Sequence, residues 1–295
     1  MKNELKFAVL GGDLRQLVTA KEFAADGYEV ALFGFNEYQG DFGEVTRCDD
    51  ISSALGNADI IILPLPCSFD GIHLNAPFSK SEVKISRIFE IAGTEALFLG
   101  GKICPKIQDY AEKNSIDMID YFKREELIVS NSIPSAEGAV AIALNELPIT
   151  LFASHSLVLG FGRLGKILSK TLAALGSDVH VAARRTSDFA WMEAYGYTPH
   201  NIYKLTEEVR NADVIFNTVP QIILNEELLH EIPEKTLIVD LASRPGGVDM
   251  EAAKKLGIRV VWALSLPGKV APVSAGHIIK TTVLHILEER GMLTT

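Results

Sequence analysis

The stretch that decides the fold reads LVLGFGRLG and occupies Leu157–Gly165. An apolar run typical of a buried strand passes directly into a G-x-G-x-x-G turn, and a helical pattern begins at Arg163. The first glycine of such a turn allows a tight bend, the second lets the backbone approach a pyrophosphate, and the third lets helix and strand pack closely. Free N–H groups at the helix N-terminus favour phosphate. The stretch therefore predicts a strand–turn–helix unit that binds a dinucleotide.

Short apolar strands alternate with helical patterns on both sides of this unit. Two segments repeat, because Phe7–Asp13 is similar to Leu157–Gly162 and Asn57–Ile62 is similar to Asn211–Phe216. Apolar strands separated by helices predict a parallel sheet that is covered on both faces. The predicted fold class is therefore α/β, with two Rossmann-like parallel-sheet domains separated by a cleft. This architecture is similar to that of the 2-hydroxyacid dehydrogenases.

The repeat and the length set the predicted domain boundaries. About 150 residues per domain divide a chain of this size into two. We expect residues 1–130 to form an N-terminal substrate or partner domain, which a C-terminal helix at 275–295 completes. Residues 131–274 are expected to form the dinucleotide domain, with 131–147 as the linking helix. Within that linker, Pro134 is interpreted as lying just before the start of the helix.

Composition excludes several classes of protein. The formal net charge is −10, which argues against nucleic acid because its binding depends on Lys and Arg meeting phosphates. No apolar stretch reaches the ~18 residues of a membrane span, and the start lacks the pattern of a signal peptide. Three cysteines without a C-x-x-C pair favour a reduced cytoplasmic protein. We predict no metal site.

Cofactor contacts are expected at the carboxyl ends of the strands in the second domain. Where an NAD site places Asp or Glu, this sequence has Arg184 and Arg185. Arginine at that point suits the 2′-phosphate of NADP, and two solvated arginines are the alternative interpretation. The predicted cofactor-binding residues are Gly160, Phe161, Gly162, Arg163, Leu164, Gly165, Arg184, Arg185, Thr186, Asn217, Thr218, Val219, Pro220, Ala242 and Pro267.

The first copy of the glycine turn departs from the pattern. Asp13 stands where the second glycine belongs, and Gln16 stands where the third belongs. A carboxylate at that point repels a pyrophosphate, so we expect no dinucleotide in the first domain. Asp13 is interpreted as a helix cap. Arg15 and the loop Pro64–Gly71 are expected to face the substrate.

Two further loops follow strands of the second domain and carry positive charge. Arg244 lies in Asp240–Gly247, and Lys269 lies in Leu266–Pro272. Ligands of open α/β sheets bind at such strand ends, so two cations there predict an anionic substrate. Solvated surface charges are the alternative interpretation.

Six stretches along the chain form a combined pattern: Gly11–Gln16, Asn131–Gly138, Gly160–Arg163, Asn217–Pro220, Asp240–Gly247 and Leu266–Pro272. Together they resemble a protein family of endospore-forming bacteria, the A subunits of dipicolinate synthase. The resemblance implies NADP-dependent oxidation of dihydrodipicolinate to dipicolinate, on a branch of the lysine pathway. It also implies a flavoprotein-like second subunit in the mother cell during sporulation. A homo-oligomer stays open.

An oxidation of this kind asks the protein mainly to hold two carboxylates and to orient one C–H bond. Glu137 and Lys269 are the catalytic candidates. Glu137 is the candidate base, and helix capping in the first turn after Pro134 is the competing interpretation. The substrate-binding candidates are Arg15, Ser132, Arg244 and Lys269.

Two other functions stay open. The chain could bind NADP only as the regulatory or scaffolding half of a two-subunit enzyme. It could also be a dehydrogenase of the 2-hydroxyacid type, because Arg244 is placed much like the substrate arginine of that family. That family needs a His backed by a carboxylate, and its His would fall near Val273. His277 lies four residues on, and the sequence gives it no obvious carboxylate partner.

Overall fold

The computed structural model describes residues 5–293, which form two α/β units. One unit consists of the chain up to Ser130 together with the chain from Ala271 onward, and the other is Asn131–Val270. The predicted first domain also includes residues 1–4 and 294–295, which lie outside the described residues.

Each unit is built on one parallel sheet of six strands. The first sheet has the order β3-β2-β1-β4-β5-β6, and the second has the order β12-β11-β10-β7-β8-β9. The strands of the first unit are β1 Lys6–Leu10, β2 Glu29–Phe33, β3 Thr46–Cys48, β4 Ile60–Ile62, β5 Leu97–Gly100 and β6 Met118–Asp120. Those of the second are β7 His155–Leu159, β8 Asp178–Ala183, β9 Thr198–Asn201, β10 Val214–Asn217, β11 Leu237–Asp240 and β12 Arg259–Trp262.

Helices cover the sheets because alternate strand residues are apolar on both faces. In β1, Phe7 and Val9 belong to one buried cluster, whereas Ala8 and Leu10 belong to another. The same alternation divides β7 between two clusters of the second unit. Two parallel-sheet α/β domains confirm the predicted fold class. The helices are α1 Leu14–Ala25, α2 Ile51–Leu55, α3 Ile85–Ala92, α4 Pro105–Lys113, α5 Glu125–Glu146, α6 Arg163–Ala174, α7 Thr186–Ala194, α8 Thr206–Asn211, α9 Glu226–Leu229, α10 Met250–Leu256, α11 Leu266–Val270 and α12 Pro272–Glu289.

The last helix returns to the first unit and packs on α1. A Cβ added to Gly276 would lie 2.7 Å from the carbonyl oxygen of Arg15, so this helix contact needs a glycine. The Thr19 hydroxyl donates to the carbonyl of Gly276 at 3.0 Å. These contacts place α12 in the core of the first unit.

The long helix α5 begins earlier than the sequence indicates. The interpretation of Pro134 as preceding the helix is wrong, because α5 runs through it from Glu125 to Glu146. Proline removes one backbone donor from a helix interior and crowds the preceding turn. One residue on, the hydroxyl of Ser135 donates to the carbonyl of Asn131 at 2.9 Å, which adds a donor to the disturbed turn.

By length and composition α5 could also cross a membrane, in contrast to the prediction that no apolar stretch is long enough for a span. An 18-residue window of α5 has a mean hydropathy of 1.4. Its small apolar residues Ala136, Ala139 and Ala143 are fully buried in one core cluster of the second unit. Such a helix is typical of the core of an α/β protein as well.

Three other differences concern short or polar segments. The edge strands β3 and β9 are not predicted, since both are short and their residues are mostly polar. The segment Leu266–Val270 forms α11, although its Pro and Gly are typical of a loop.

Candidate functional site

The turn between β7 and α6 has the geometry that a dinucleotide requires. The N–H of Gly160 donates to the carbonyl of Ala182 at 2.8 Å, and its φ of +101° favours glycine. A Cβ on Gly165 would lie 2.1 Å from the Gly160 carbonyl oxygen, so the third glycine allows helix and strand to touch. A Cβ on Gly162 would have no atom within 4 Å. The helix N-terminus therefore opens into free space beside the second glycine.

That space belongs to a cavity of about 1060 Å³ within the second unit. The cavity follows the carboxyl ends of β7, β8, β9 and β10, where ligands of open α/β sheets bind. Arg184 and Arg185 line it, and both side chains are exposed. Neither guanidinium forms an ion pair with any residue in 5–293. The predicted cofactor residues that line the cavity are Gly160, Phe161, Gly162, Arg163, Arg184, Arg185, Thr218, Val219 and Pro220.

The other predicted cofactor residues do not line the cavity, and several act on its shape instead. Asn217 is fully buried, and its amide nitrogen donates to the Val219 carbonyl at 3.0 Å. Its amide oxygen accepts from the Val219 N–H at 3.1 Å, so Asn217 fixes the turn that carries Thr218 and Val219. Leu164 packs against a core cluster. The predicted cofactor residues outside the lining are Leu164, Gly165, Thr186, Asn217, Ala242 and Pro267.

The loop that carries Arg244 is held by one buried carboxylate. Asp240 is 1% exposed and accepts from the amide of Asn217 at 2.7 Å. It also accepts from the backbone N–H groups of Ala242 at 3.1 Å and Gly247 at 2.9 Å. These three bonds tie the ends of β10 and β11 together and close the loop on itself.

Arg244 itself is exposed at the tip of this loop. Its guanidinium carbon lies 5.9 Å from the ring centroid of Trp262, within the range of a cation–π contact. The indole N–H of Trp262 donates to the Ala242 carbonyl at 2.9 Å, which anchors the ring under the arginine. Arg244 is therefore available to an anion, although it does not line the cavity.

Sequence reasoning missed several polar residues of the cavity. Lys166 lies four residues after Gly162 on α6, and its ammonium is 5.4 Å from the Phe161 ring. The i, i+4 spacing from the open glycine is the signal that could have identified it. Asp188 lies in the first turn of α7 and adds a negative charge to the same cavity. Tyr203, which is 72% exposed, presents an aromatic ring.

The corresponding turn of the first unit is closed by the chain itself. The N–H of Gly12 donates to the Asn75 carbonyl at 2.7 Å. The side chain of Gln16 is fully buried, and a Cβ on Gly12 would lie 2.4 Å from its amide oxygen. The backbone donor and the space that a phosphate needs are both occupied.

The interpretation of Asp13 as a helix cap is confirmed. Its carboxylate accepts from the backbone N–H of Arg15 at 3.0 Å. The same carboxylate binds the Arg15 guanidinium through Nε at 2.9 Å and Nη2 at 2.8 Å. Arg15 is 4% exposed and also donates to the Leu65 carbonyl. The predicted substrate-facing arginine is thus buried in an ion pair inside the first unit.

The candidates on α5 and α11 lie on two helices that touch. Ser132 is buried on α5, and Lys269 is exposed on α11. A Cβ on Gly138 would lie 3.2 Å from the Val270 Cγ2, so the helices approach closely beside Lys269. Glu137 is exposed and lies far inside α5, so its interpretation as a helix cap is wrong.

One expectation about His277 is also wrong. The structure gives it a carboxylate partner, because its Nδ1 lies 3.0 Å from Oε2 of Glu22. The two residues are 255 positions apart and meet only because α12 packs on α1. The side chain of His277 is 63% exposed.

Two known families match separate parts of the chain, one in each unit. Residues 6–122 match the family described as the N-terminal domain of the dipicolinate synthase A subunit. Residues 139–255 match the D-isomer specific 2-hydroxyacid dehydrogenase, NAD binding domain. The second match lies inside the unit that holds the open glycine turn and the cavity.

Known relatives settle the family. The chain is 33% identical to the A subunit of dipicolinate synthase from Bacillus subtilis (strain 168), over 98% of both chains. It belongs to the family of dipicolinate synthase A subunits. Crystal structures of two such A subunits are similar over 97% of this chain. That of Bacillus halodurans has 30% identity, a TM-score of 0.89 and 99% of its own chain covered. That of Bacillus subtilis has 33% identity, a TM-score of 0.86 and 96% of its own chain covered.

Membership in this dipicolinate synthase family confirms the resemblance stated from the motifs. The NAD-binding dehydrogenase domain also confirms two coarser predictions. The second unit binds a nicotinamide dinucleotide, and the chain is of the oxidoreductase type. The glycine turn and the cavity supply the physical basis of that binding.

Proposed function

We propose that this chain oxidises dihydrodipicolinate to dipicolinate with NADP as the hydride acceptor. The observation that carries the proposal is the cavity beside the open Gly162, which is lined by Arg184 and Arg185. The pyrophosphate of a dinucleotide fits the turn because the Gly162 position has free space and lies at a helix N-terminus.

The choice of NADP over NAD rests on the end of β8. Arg184 and Arg185 follow the strand directly, where a carboxylate would bind the 2′-hydroxyl of NAD. A 2′-phosphate carries nearly two negative charges and accepts several hydrogen bonds from guanidinium groups. Asp188 opposes this charge from the first turn of α7. Two arginines outweigh one carboxylate, so the proposal favours NADP.

The cofactor choice is tested by binding. NADP should bind at least tenfold tighter than NAD, which corresponds to about 1.4 kcal/mol. The double variant Arg184→Ala with Arg185→Ala should lose most of that preference. Lys204→Ala, which removes an exposed cation outside the cavity, serves as the control and should keep it. Equal affinities of NADP and NAD for the parent chain, measured by calorimetry, would refute this part of the proposal.

The chemistry sets the work of the other residues. Oxidation of the dihydropyridine ring removes one hydride and one proton, and the nicotinamide takes the hydride when it is bound. The chain must hold two carboxylates and accept the proton. We assign the carboxylates to Arg244 and Lys269, with Ser132 as a neutral donor. Glu137 is the candidate for the proton, because it is exposed on α5 close to the contact with α11.

Arg15 ranks behind the other cations. Its guanidinium already binds Asp13 in a bidentate pair and donates to a backbone carbonyl. A substrate carboxylate there would share a charge that is already neutralised. We keep Arg15 as a substrate candidate only if variants of Arg244 and Lys269 leave binding unchanged.

The clamp is tested with dipicolinate itself. Arg244→Ala and Lys269→Ala should each weaken dipicolinate binding tenfold or more, since a charge-assisted hydrogen bond contributes roughly 1.5–3 kcal/mol. NADP affinity should stay close to that of the parent. Lys255→Ala removes an exposed cation on α10 and is the matched control. Unchanged dipicolinate affinity in both clamp variants would show that the carboxylates are held elsewhere.

The proposal includes a partner and a place in the cell. By family, the chain works with a flavoprotein-like second subunit in the cytoplasm of the mother cell of a sporulating bacterium. Steady-state turnover by the chain alone, compared with turnover in the presence of that partner, separates an enzyme from a scaffolding subunit. Turnover by the chain alone would exclude the scaffolding function.

The His277–Glu22 pair favours a second candidate, oxidation of a 2-hydroxy acid. An imidazole backed by a carboxylate is the acid–base device that alcohol oxidation needs. Under this alternative, simple 2-hydroxy acids would reduce NADP and His277→Gln would abolish the reaction. Lack of turnover with any 2-hydroxy acid would eliminate it.

A further inference from the structure

Three histidines lie side by side on the sheet of the second unit. They come from three adjacent strands, with His155 on β7, His180 on β8 and His200 on β9. In the strand register His155 is opposite Asp178, and His200 is opposite Ala182. Each histidine is therefore two residues further along than the position opposite its neighbour. Because strand side chains alternate between faces, all three project from the same face.

The rings form one continuous stack beside a carboxylate. The ring centroids are 3.8 Å apart for His155 and His180, and 5.0 Å apart for His180 and His200. Nδ1 of His180 lies 2.8 Å from Nε2 of His200. Glu208, on α8, reaches both rings, with Oε1 3.1 Å from His200 Nδ1 and Oε2 3.6 Å from His180 Nδ1.

One further observation distinguishes this cluster from an ordinary hydrogen-bond network. Nε2 of His155 is buried and has no hydrogen-bond partner within residues 5–293. A buried ring nitrogen without a partner is available as a metal ligand.

We propose that His155, His180 and Glu208 bind a divalent transition-metal ion of the Zn²⁺ class, with His200 as the fourth ligand. One ligand atom from each of the first three lies within 4.8 Å of the others. Tetrahedral zinc with Zn–N bonds of about 2.0–2.1 Å needs ligand separations of roughly 3.4 Å. The ligand atoms of His155, His180 and Glu208 must therefore approach one another, and the 2.8 Å contact between His180 and His200 must open. The ion takes the place of the hydrogen bond between Nδ1 of His180 and Nε2 of His200. The proton of that bond moves to Nδ1 of His200, which faces Oε1 of Glu208, so both imidazoles stay neutral.

The surroundings agree with a metal centre. Asp178 Oδ2 lies 3.2 Å from Nε2 of His180, so a carboxylate orients this ligand through its other ring nitrogen. The side chains of His180, His200 and Glu208 are 14%, 15% and 19% exposed, which leaves a path for the ion. Three nitrogens and one carboxylate oxygen favour Zn²⁺ over Mg²⁺ or Ca²⁺.

The place of the cluster in the sheet separates it from the dinucleotide. His155 is the first residue of β7, whereas the cavity begins at Gly160 after the end of the same strand. The ion therefore joins three strands and α8 toward the amino ends of β7 and β8, whereas the cavity lies at the carboxyl ends of these strands. We assign it a stabilising role, not a part in hydride transfer.

The test uses the full chain after treatment with a chelator. Titration with ZnCl₂ in a calorimeter should show one ion per chain, and bound Zn²⁺ should raise the melting temperature. His180→Ala and Glu208→Gln should each weaken Zn²⁺ binding at least tenfold. His230→Ala removes an exposed histidine elsewhere in the same unit and should bind as the parent does. NADP affinity, measured on every variant, reports whether the second unit remains folded.

Two outcomes would overturn the assignment. The first is the absence of a saturable site on the parent chain. The second is a parent-like Zn²⁺ affinity in Glu208→Gln and in His180→Ala while both still bind NADP. A loss of the site in His73→Ala would place the ion at the Asp70–His73 pair of the first unit instead and would equally refute the proposal. With Co²⁺ as the probe, tetrahedral coordination should give a visible absorption band that Glu208→Gln lacks.

Discussion

The two glycine turns of this chain occupy equivalent places in their units but differ in what fills them. Each follows the first strand of its unit, and each begins with a glycine N–H that donates at 2.8 Å to the end of the neighbouring strand. Asp13 and Gly162 are the two helix N-caps, with ψ angles of −164° and −162°. The main chain agrees at these two positions but not between them, because φ is +89° at Gly12 and is not positive at its counterpart Phe161.

Side chains and one distant loop fill the first turn, whereas the second turn is left open. In the first unit Asp13 holds Arg15, Gln16 fills the space beside Gly12, and the Asn75 carbonyl takes the free N–H. In the second unit Gly162 faces open space and the cavity begins there. A dinucleotide site thus requires that nothing else in the unit satisfies the helix N-terminus, in addition to the right turn.

The largest expected effect comes from making the second turn like the first. Gly162→Asp should reduce dinucleotide affinity at least 1000-fold, about 4 kcal/mol, because a carboxylate would occupy the place of the pyrophosphate. The variant should fold, since a Cβ there meets no atom and aspartate is a good N-cap. Calorimetry with NADP measures the loss, and circular dichroism confirms the fold.

Asp13→Ala is the matched control for this change. It alters the equivalent position of the first unit and should leave NADP affinity nearly the same. A strong loss of NADP binding in Asp13→Ala would mean that the first unit holds the dinucleotide, and the comparison between the turns would then fail.

The next effect concerns close packing in the second turn. Gly165→Ala should lower the free energy of unfolding by about 3 kcal/mol, because its Cβ would collide with the Gly160 carbonyl oxygen. Gly162→Ala in the same turn has open space and should change stability by less than about 1 kcal/mol. Urea unfolding curves measure both. Similar stability of the two variants would show that the backbone of the turn adjusts to the added Cβ of Gly165→Ala at little cost.

The smallest effect concerns the pair that closes the first turn. Asp13→Ala should lower the free energy of unfolding by about 2 kcal/mol, since it removes a helix cap and leaves the buried Arg15 without its partner. Asp50→Ala removes the cap of α2 but no ion pair, and should lower the free energy of unfolding by less than Asp13→Ala does. Thermal or urea unfolding measures the difference. Equal losses would show that the Arg15 pair adds nothing beyond the cap.

The sequence predicts most of the fold because the strong signals are local. Apolar strands, the Leu157–Gly165 turn and the repeat within the chain lead to the two parallel sheets. Edge strands β3 and β9 are not predicted because their residues are mostly polar and only partly buried. The start of α5 is predicted too late because Pro134, a common helix-start residue, here lies inside a helix.

The residues of the candidate site likewise fall into those that the sequence predicts and those that it does not. Glycines and arginines adjacent to strands are predictable, since their roles depend on a few neighbouring residues. The contact between Gly12 and Asn75 that closes the first turn is not predictable, because Asn75 lies in a loop far along the chain. The His277–Glu22 pair and the histidine row also depend on contacts that only the folded packing or strand register creates.

The buried Asp240 carboxylate has a consequence for how the Arg244 loop meets a ligand. Its hydrogen bonds to Asn217, Ala242 and Gly247 are made when the chain folds. The conformational entropy of the loop backbone is therefore lost before any ligand arrives. An anion that binds Arg244 orders little more than one side chain, so more of its interaction energy is expressed as affinity.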